Sequence, residues 1–162
     1  MLLESPHRPE SMTLMVQKEV AERMSAKPPY MNLLALAVQS YAEPKIIALV
    51  PRSAFSPKPQ VDSAIVKISD ISPNKFEKYL LEPEIFFTIA NHAFRGKRKI
   101  LENTLGGFGD PETLSSIFQR LGIPRERPER LRIETWLTLA SEIAQISALK
   151  KSLKKPKSLK KP

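Results

Sequence analysis

The sequence predicts an α/β chain in which a β-containing piece over residues 1–70 is followed by a small all-helical domain over residues 71–148. Three observations predict it. Short apolar runs, several of their residues β-branched, lie before residue 70, at Met12–Val16 (MTLMV), Ile46–Val50 (IIALV) and Val61–Ile68 (VDSAIVKI). Beyond Asp70–Asn74 (DISPN) the β-branched density falls and apolar residues recur at helical spacing. Prolines and glycines separate these segments cleanly.

Each element follows in order. Residues 1–11 are polar and proline-bearing and read as a loop. Met12–Val16 reads as a buried strand, and Gln17–Met24 (QKEVAERM) as a helix start. Pro28 and Pro29 impose a break. Leu33–Tyr41 returns to helix, and Pro44 ends it. Ile46–Val50 and Val61–Ile68 are the second and third strands. They are close enough in sequence to form a long-looped antiparallel hairpin. In the helical part, Pro83–Phe94 places Ile85, Phe86, Ile89, Ala90 and Phe94 near one face, and Lys97–Leu105 continues the helical pattern. Gly106, Gly107 and Gly109 make a loop. Pro111–Leu121 is a helix with proline in its first turn and Gly122 as its cap. Thr135–Ile146 is the last amphipathic helix.

Composition excludes several chemistries. At 41% hydrophobic residues the 162-residue chain has the material for a buried core. It has no cysteine, which removes disulfides, thiolate metal sites and a Cys nucleophile. His7 and His92 are too few for a histidine-rich metal site. Five glycines do not form a Gly-rich nucleotide cradle. No run of apolar residues is long enough to span a membrane. Glu4, Ser5 and Pro6 interrupt any apolar leader after Leu2 and Leu3, so the reading places the protein in the cytoplasm.

The formal net charge is +9, and most of it sits at the end. Residues 150–162 hold seven lysines and no acid, which leaves 19 basic and 17 acidic residues in the first 149. Residues 149–162, with Ser-Leu-Lys-Lys-Pro twice, read as a disordered Lys-rich tail. Such a tail binds polyanions without sequence choice, or serves only solubility.

Four segments carry candidate chemistry. Pro51–Pro59 (PRSAFSPKP) is stiffened by Pro51, Pro57 and Pro59 and contains Phe55. Phe55 on such a loop is either a stacking platform for a flat ring or a residue folded back into the core. Arg95-Gly96-Lys97-Arg98-Lys99 sets four cations within five residues. Helical spacing places Arg95 with Arg98 or with Lys99 on one face, which suits RNA phosphates. Arg120, Arg125, Arg127, Arg130 and Arg132 form a second group, which reads as a solvated face with ion pairs to Glu126 or Glu129. Gln17-Lys18-Glu19 follows a strand end, where ligand-contacting groups lie in α/β sheets, though helix capping and surface charge explain it equally.

Lys27-Pro28-Pro29-Tyr30 resembles the Asn-Pro-Pro-Tyr box with which amino-methyltransferases grip an exocyclic amine. Its lysine cannot accept a hydrogen bond from that amine, and it follows a strand and a helix, the wrong place for the box. It reads as a structural turn.

Met12–Met24 (MTLMVQKEVAERM), Val50–Ile68 (VPRSAFSPKPQVDSAIVKI), Ala93–Leu105 (AFRGKRKILENTL) and Leu121–Leu131 (LGIPRERPERL) together, in this order, resemble the ribosomal RNA adenine dimethyltransferase family. The resemblance runs to about residue 146. It implies the C-terminal part of a Rossmann-like class I methyltransferase sheet followed by a helical RNA-binding domain. It further implies S-adenosylmethionine as cofactor and two adjacent adenines of small-subunit ribosomal RNA, or of a ribosomal subunit precursor, as target. By the same resemblance Phe55 stacks on the flipped adenine, and Arg95, Lys97, Arg98 and Lys99 help to dock on RNA.

The departures are as informative. The family's Gly-rich loop, the acidic residue ending its second strand and its Asn-Leu/Pro-Pro-Tyr box do not occur in these 162 residues. The loop after Arg23 is shorter than the family's, and Met31 follows Tyr30. The expectation is an incomplete methyltransferase domain over residues 1–70, inactive alone and completed by an N-terminal half. The rival is a non-catalytic RNA-binding or ribosome-assembly factor. A sheet lacking its first strands is also expected to expose an apolar parallel edge along MTLMV, a pairing hazard.

Overall fold

The structure, a computed structural model, describes residues 3, 5, 7–96 and 99–154, with side chains through residue 146. Strand β1 is Met12–Gln17, and it runs directly into helix α1, Lys18–Met24. Helix α2 is Leu33–Gln39, followed by strands β2 (Glu43–Val50) and β3 (Ser63–Ser69). The helical part comprises α3 (Asn74–Lys78), α4 (Pro83–Phe94), α5 (Leu101–Thr104), α6 (Pro111–Arg120) and α7 (Ile133–Lys154). Among the described residues no helix is long and apolar enough to cross a membrane.

The three strands form one sheet in the order β1-β3-β2, antiparallel at both seams. β3 therefore lies in the middle, opposite Met12–Gln17 on one side and Glu43–Val50 on the other, with a bulge between Ile46 and Ala48. Pairing of β2 with β3 is the expected antiparallel hairpin. Period-2 alternation sends Ala64, Val66 and Ile68 into the core, with Leu14 and Ile46 packed beside Val66. On the opposite side Met15, in register with Ile65, is more than half exposed, and past the bulge Leu49 is also more than half exposed although it pairs with Ala64. β1 is thus an alternating edge strand rather than the fully buried strand its apolar run suggests.

The linker between α1 and α2 is tied down by two amides. Asn32 caps α2, its Oδ1 accepting from the Ala35 N–H at 3.0 Å, and its Nδ2 donates to the Arg23 carbonyl at 3.0 Å. Gln39 Nε2 donates to the carbonyls of Met24 and Ala26, at 3.0 and 2.8 Å. These bonds occupy carbonyls that the end of α1 leaves without helical partners.

Helix α6 ends as its residues dictate. Asp110 Oδ1 accepts from the Thr113 N–H at 2.9 Å, with Pro111 in the first turn. At the other end Gly122 has φ +62°, and the Ile123 N–H bonds the Phe118 carbonyl at 2.9 Å. That is a Schellman termination, and glycine takes its left-handed position without strain.

One core spans both parts of the chain. Tyr41 packs on Phe76 with ring centroids 4.9 Å apart, and Phe76 meets Phe86 edge-on at 5.5 Å. Trp136 is fully buried and stacks on Phe94 at 5.7 Å. Burial of a large apolar side chain contributes roughly 1.5–3 kcal/mol, so the Tyr41–Phe76 contact binds the sheet piece to the helices and the other two hold the helices together.

Three expectations are corrected. Helix α4 stops at Phe94, short of the basic run, and the Lys99 N–H donates to the Gly96 carbonyl at 2.8 Å. A Cβ on Gly96 would lie 3.1 Å from Thr104 Cγ2. Ile85 is 40% exposed, because Phe86, Ile89, Ala90 and Ala93 make the inward stripe of α4. The last helix does not stop near 148. Its backbone continues to Lys154, through alanine, leucine and lysine, which favour helix, and the first proline is Pro156. Residues 155–162, the rest of the expected tail, lie outside the described residues.

Candidate functional site

The junction of β1 and α1 brings two of the candidate segments together. Gln17, Lys18, Glu19 and Glu22 line one side of an open cleft of about 370 Å³, and Arg52, Gln60, Val61 and Asp62 line the other. The long connector between β2 and β3 returns to this place because both its ends are held. The Lys18 N–H donates to the Asp62 carbonyl at 2.9 Å. Asp62 Oδ1 accepts from the Arg52 N–H at 2.9 Å, and Arg52 Nη1 donates to the Gln60 carbonyl at 3.2 Å.

Gln17 makes no side-chain cap to α1, so capping does not account for it. Lys18 and Glu22 pair at 3.9 Å on the surface, a contact of little energy.

Phe55 stands on the connector held by those bonds. A short 3-10 turn covers Arg52–Ala54, and the Phe55 N–H bonds the Arg52 carbonyl at 3.4 Å. Its neighbours from Pro51 to Ala54 and from Ser56 to Gln60 are exposed, and Phe55 itself is half-buried. It is not among the residues that form the core or pack against it, so the fold leaves its ring outside the main apolar interior.

The basic residues divide differently from their sequence grouping. Arg95 and Lys99 lie in the turn between α4 and α5, and Lys97 and Arg98 lie outside the described residues. The segment from 124 to 132 is held by three bonds, to α5, to the linker before α2 and to α7. The Leu101 N–H donates to the Glu126 carbonyl at 2.9 Å, the Met31 N–H to the Glu129 carbonyl at 3.0 Å, and Trp136 Nε1 to the Pro128 carbonyl at 3.3 Å. The first of these bonds sets Glu126, between Arg125 and Arg127, against the start of α5, two residues beyond Lys99.

The ion-pair reading of the second group holds in part. Arg130 pairs with Glu126 at 4.0 Å, Arg125 with Glu102 at 3.9 Å, and Arg120 with Glu142 at 2.7 Å. Only the last is short. Tyr30, read from sequence as part of a turn, stands 77% exposed beside Arg125 and Arg130. Nothing in Lys-Pro-Pro-Tyr signals that placement, because it depends on the distant 124–132 segment.

Residues 1–145 match the family described as Ribosomal RNA adenine dimethylase. The chain is 40% identical over 146 residues to the ribosomal RNA small subunit methyltransferase A of Nostoc punctiforme, covering 88% of this chain and 50% of that protein. Against the protein of the same name from Dehalococcoides mccartyi strain CBDB1 it is 42% identical over 146 residues, covering 88% and 49%. The chain therefore spans about half the length of the curated relatives it matches.

Two solved structures share the fold. A dimethyladenosine transferase from Plasmodium falciparum superposes with a TM-score of 0.75 at 22% identity, covering 89% of this chain and 60% of that one. The 23S rRNA methyltransferase ErmE gives 0.66 at 23% identity, covering 89% and 58%.

Proposed function

We propose that this chain, which belongs to the ribosomal RNA adenine dimethylase family, is the target-holding half of a cytoplasmic ribosomal RNA adenine N6,N6-dimethyltransferase. One observation carries the reading. The stiff connector that bears Phe55 is anchored to the Gln17–Glu19 segment at the end of β1, and the two line one cleft while the Phe55 ring stays out of the core.

In this reading Phe55 stacks on an adenine of small-subunit ribosomal RNA that has left its helix. Stacking of this kind contributes roughly 1–3 kcal/mol per base. The anchored connector fixes where the base stands, and fixed geometry is a main source of rate in such transfers. Arg95, Lys97, Arg98 and Lys99 grip the RNA backbone, where guanidinium and ammonium groups meet phosphate oxygens.

S-adenosylmethionine is the donor expected for this family. The residues described here do not fit it. β1 passes through Gln17 straight into α1, and the first glycine of the chain is Gly96, far from any strand end. The donor pocket is assigned to the remainder of the length found in the relatives, joined to this chain or supplied to it. The same lack of a cradle favours a second reading, a non-catalytic RNA-binding factor in ribosome assembly.

Methyl transfer to small-subunit RNA decides between them. The chain is assayed alone and with the N-terminal half of the Nostoc punctiforme relative. The first reading expects activity only in the mixture or fusion, and a loss of tenfold or more on Phe55→Ala with most activity kept by Phe55→Tyr. RNA binding with no methyl transfer under any of these conditions leaves the second reading.

A further inference from the structure

The groove beside Tyr30 is separate from the cleft at β1 and shares no lining residue with it. It has a volume of about 800 Å³ and is open to solvent. An exposed tyrosine by itself is ordinary. This one is mounted on a fixed base: its N–H donates to the Lys27 carbonyl at 2.8 Å, and the next residue's N–H to the Glu129 carbonyl at 3.0 Å. Among the described residues no aromatic ring or cation lies against its ring.

Across the groove Arg125, Arg127 and Arg130 are exposed, while Glu126 and Glu129 between them are half-buried. The cations therefore reach farther into solvent than the acids. The Arg125 and Arg130 ion pairs, at 3.9 and 4.0 Å, are at the outer limit of contact and easily exchanged for a phosphate. Among the described residues Arg127 has no ion pair. The Trp136 bond to Pro128 and the Leu101 bond to Glu126 hold this arginine segment in place against α7 and α5. A fixed, unpartnered aromatic ring among forward-reaching guanidinium groups suits an unpaired nucleotide: the ring takes the base and the forks take the phosphates.

We propose that Tyr30, with Arg125, Arg127 and Arg130, forms a second base-holding subsite for single-stranded RNA, distinct from the one at Phe55. The proposal rests on the RNA-binding reading above and extends it to a new surface. Its consequence is a two-point grip, with one unpaired base held at the reacting cleft and a flanking one held at the junction of the two parts of the chain.

The test uses the full chain and a labelled single-stranded RNA of about 12 nucleotides, with a blunt duplex as control, read by fluorescence anisotropy at about 50 mM salt. Tyr30→Ala is expected to weaken single-strand binding roughly tenfold and leave duplex binding unchanged, and Tyr30→Phe to retain the affinity. Arg127→Gln is expected to weaken both and lower the salt slope by about one. Photo-crosslinking of a bromouridine-substituted strand to the wild-type chain is expected to mark the Tyr30 peptide. Unchanged single-strand affinity in a folded Tyr30→Ala variant, or crosslinks that avoid the Tyr30 peptide, would overturn the subsite and leave the RNA-binding reading standing. If the wild-type chain binds neither RNA, both fall.

Discussion

Asp62 carries the bonds that decide where Phe55 stands. Its carboxylate holds the Arg52 N–H and its carbonyl receives the Lys18 N–H, both at 2.9 Å. Asp62→Ala removes the first bond and leaves the second. The expected outcome is a stability loss of about 1 kcal/mol in urea denaturation, with faster amide exchange at Phe55 and in the 52–54 turn. Unchanged exchange there would show that the prolines alone hold the connector. The stiffness of this connector is legible in Pro51, Pro57 and Pro59. Its attachment point is not, because Lys18 lies 44 residues from Asp62. Tyr30 makes the same point more strongly. Its sequence context describes a turn, and its exposure beside three arginines arises from a bond between Met31 and Glu129.

At the scale of elements, local chemistry and long-range packing contributed differently. The ends of α6 are written in Asp110, Pro111 and Gly122, each with a physical reason for its position, and the structure uses all three. The strands are equally legible as apolar runs with β-branched residues, but their environment is not. β1 reads as buried and is an edge, since burial depends on which neighbours a strand receives. Helix α4 ends at Phe94, before the basic run, and Gly96 passes close to Thr104, a contact set by α5.

The β1 edge has a consequence that can be measured. Among the described residues its only strand partner is β3, and Met15 is 57% exposed beside the free edge. Exposed apolar edges pair with other chains. Light scattering and size exclusion are expected to show concentration-dependent association of the wild-type chain. Met15→Lys is expected to reduce it with little change in stability, the side chain being mostly in water already. A wild-type chain that remains a monodisperse monomer at high concentration would contradict the account of this edge.

Across the whole molecule, the sheet piece and the helices share a core, stitched by Tyr41 against Phe76 and by the Lys75 ammonium donating to the Gln39 carbonyl at 2.7 Å. The change of character near residue 70 is real in the sequence, yet it falls within continuous packing rather than at a gap. This continuity gives the proposed function its geometry, because it holds the Phe55 connector and the arginine-bearing turns in one frame. A target-holding surface is present, and a donor cradle is not built from these residues. Calorimetric titration of S-adenosylmethionine into the isolated chain tests that division most directly. The account predicts no binding heat. Saturable binding at micromolar concentration would show that these 162 residues form a donor pocket of their own and would contradict it.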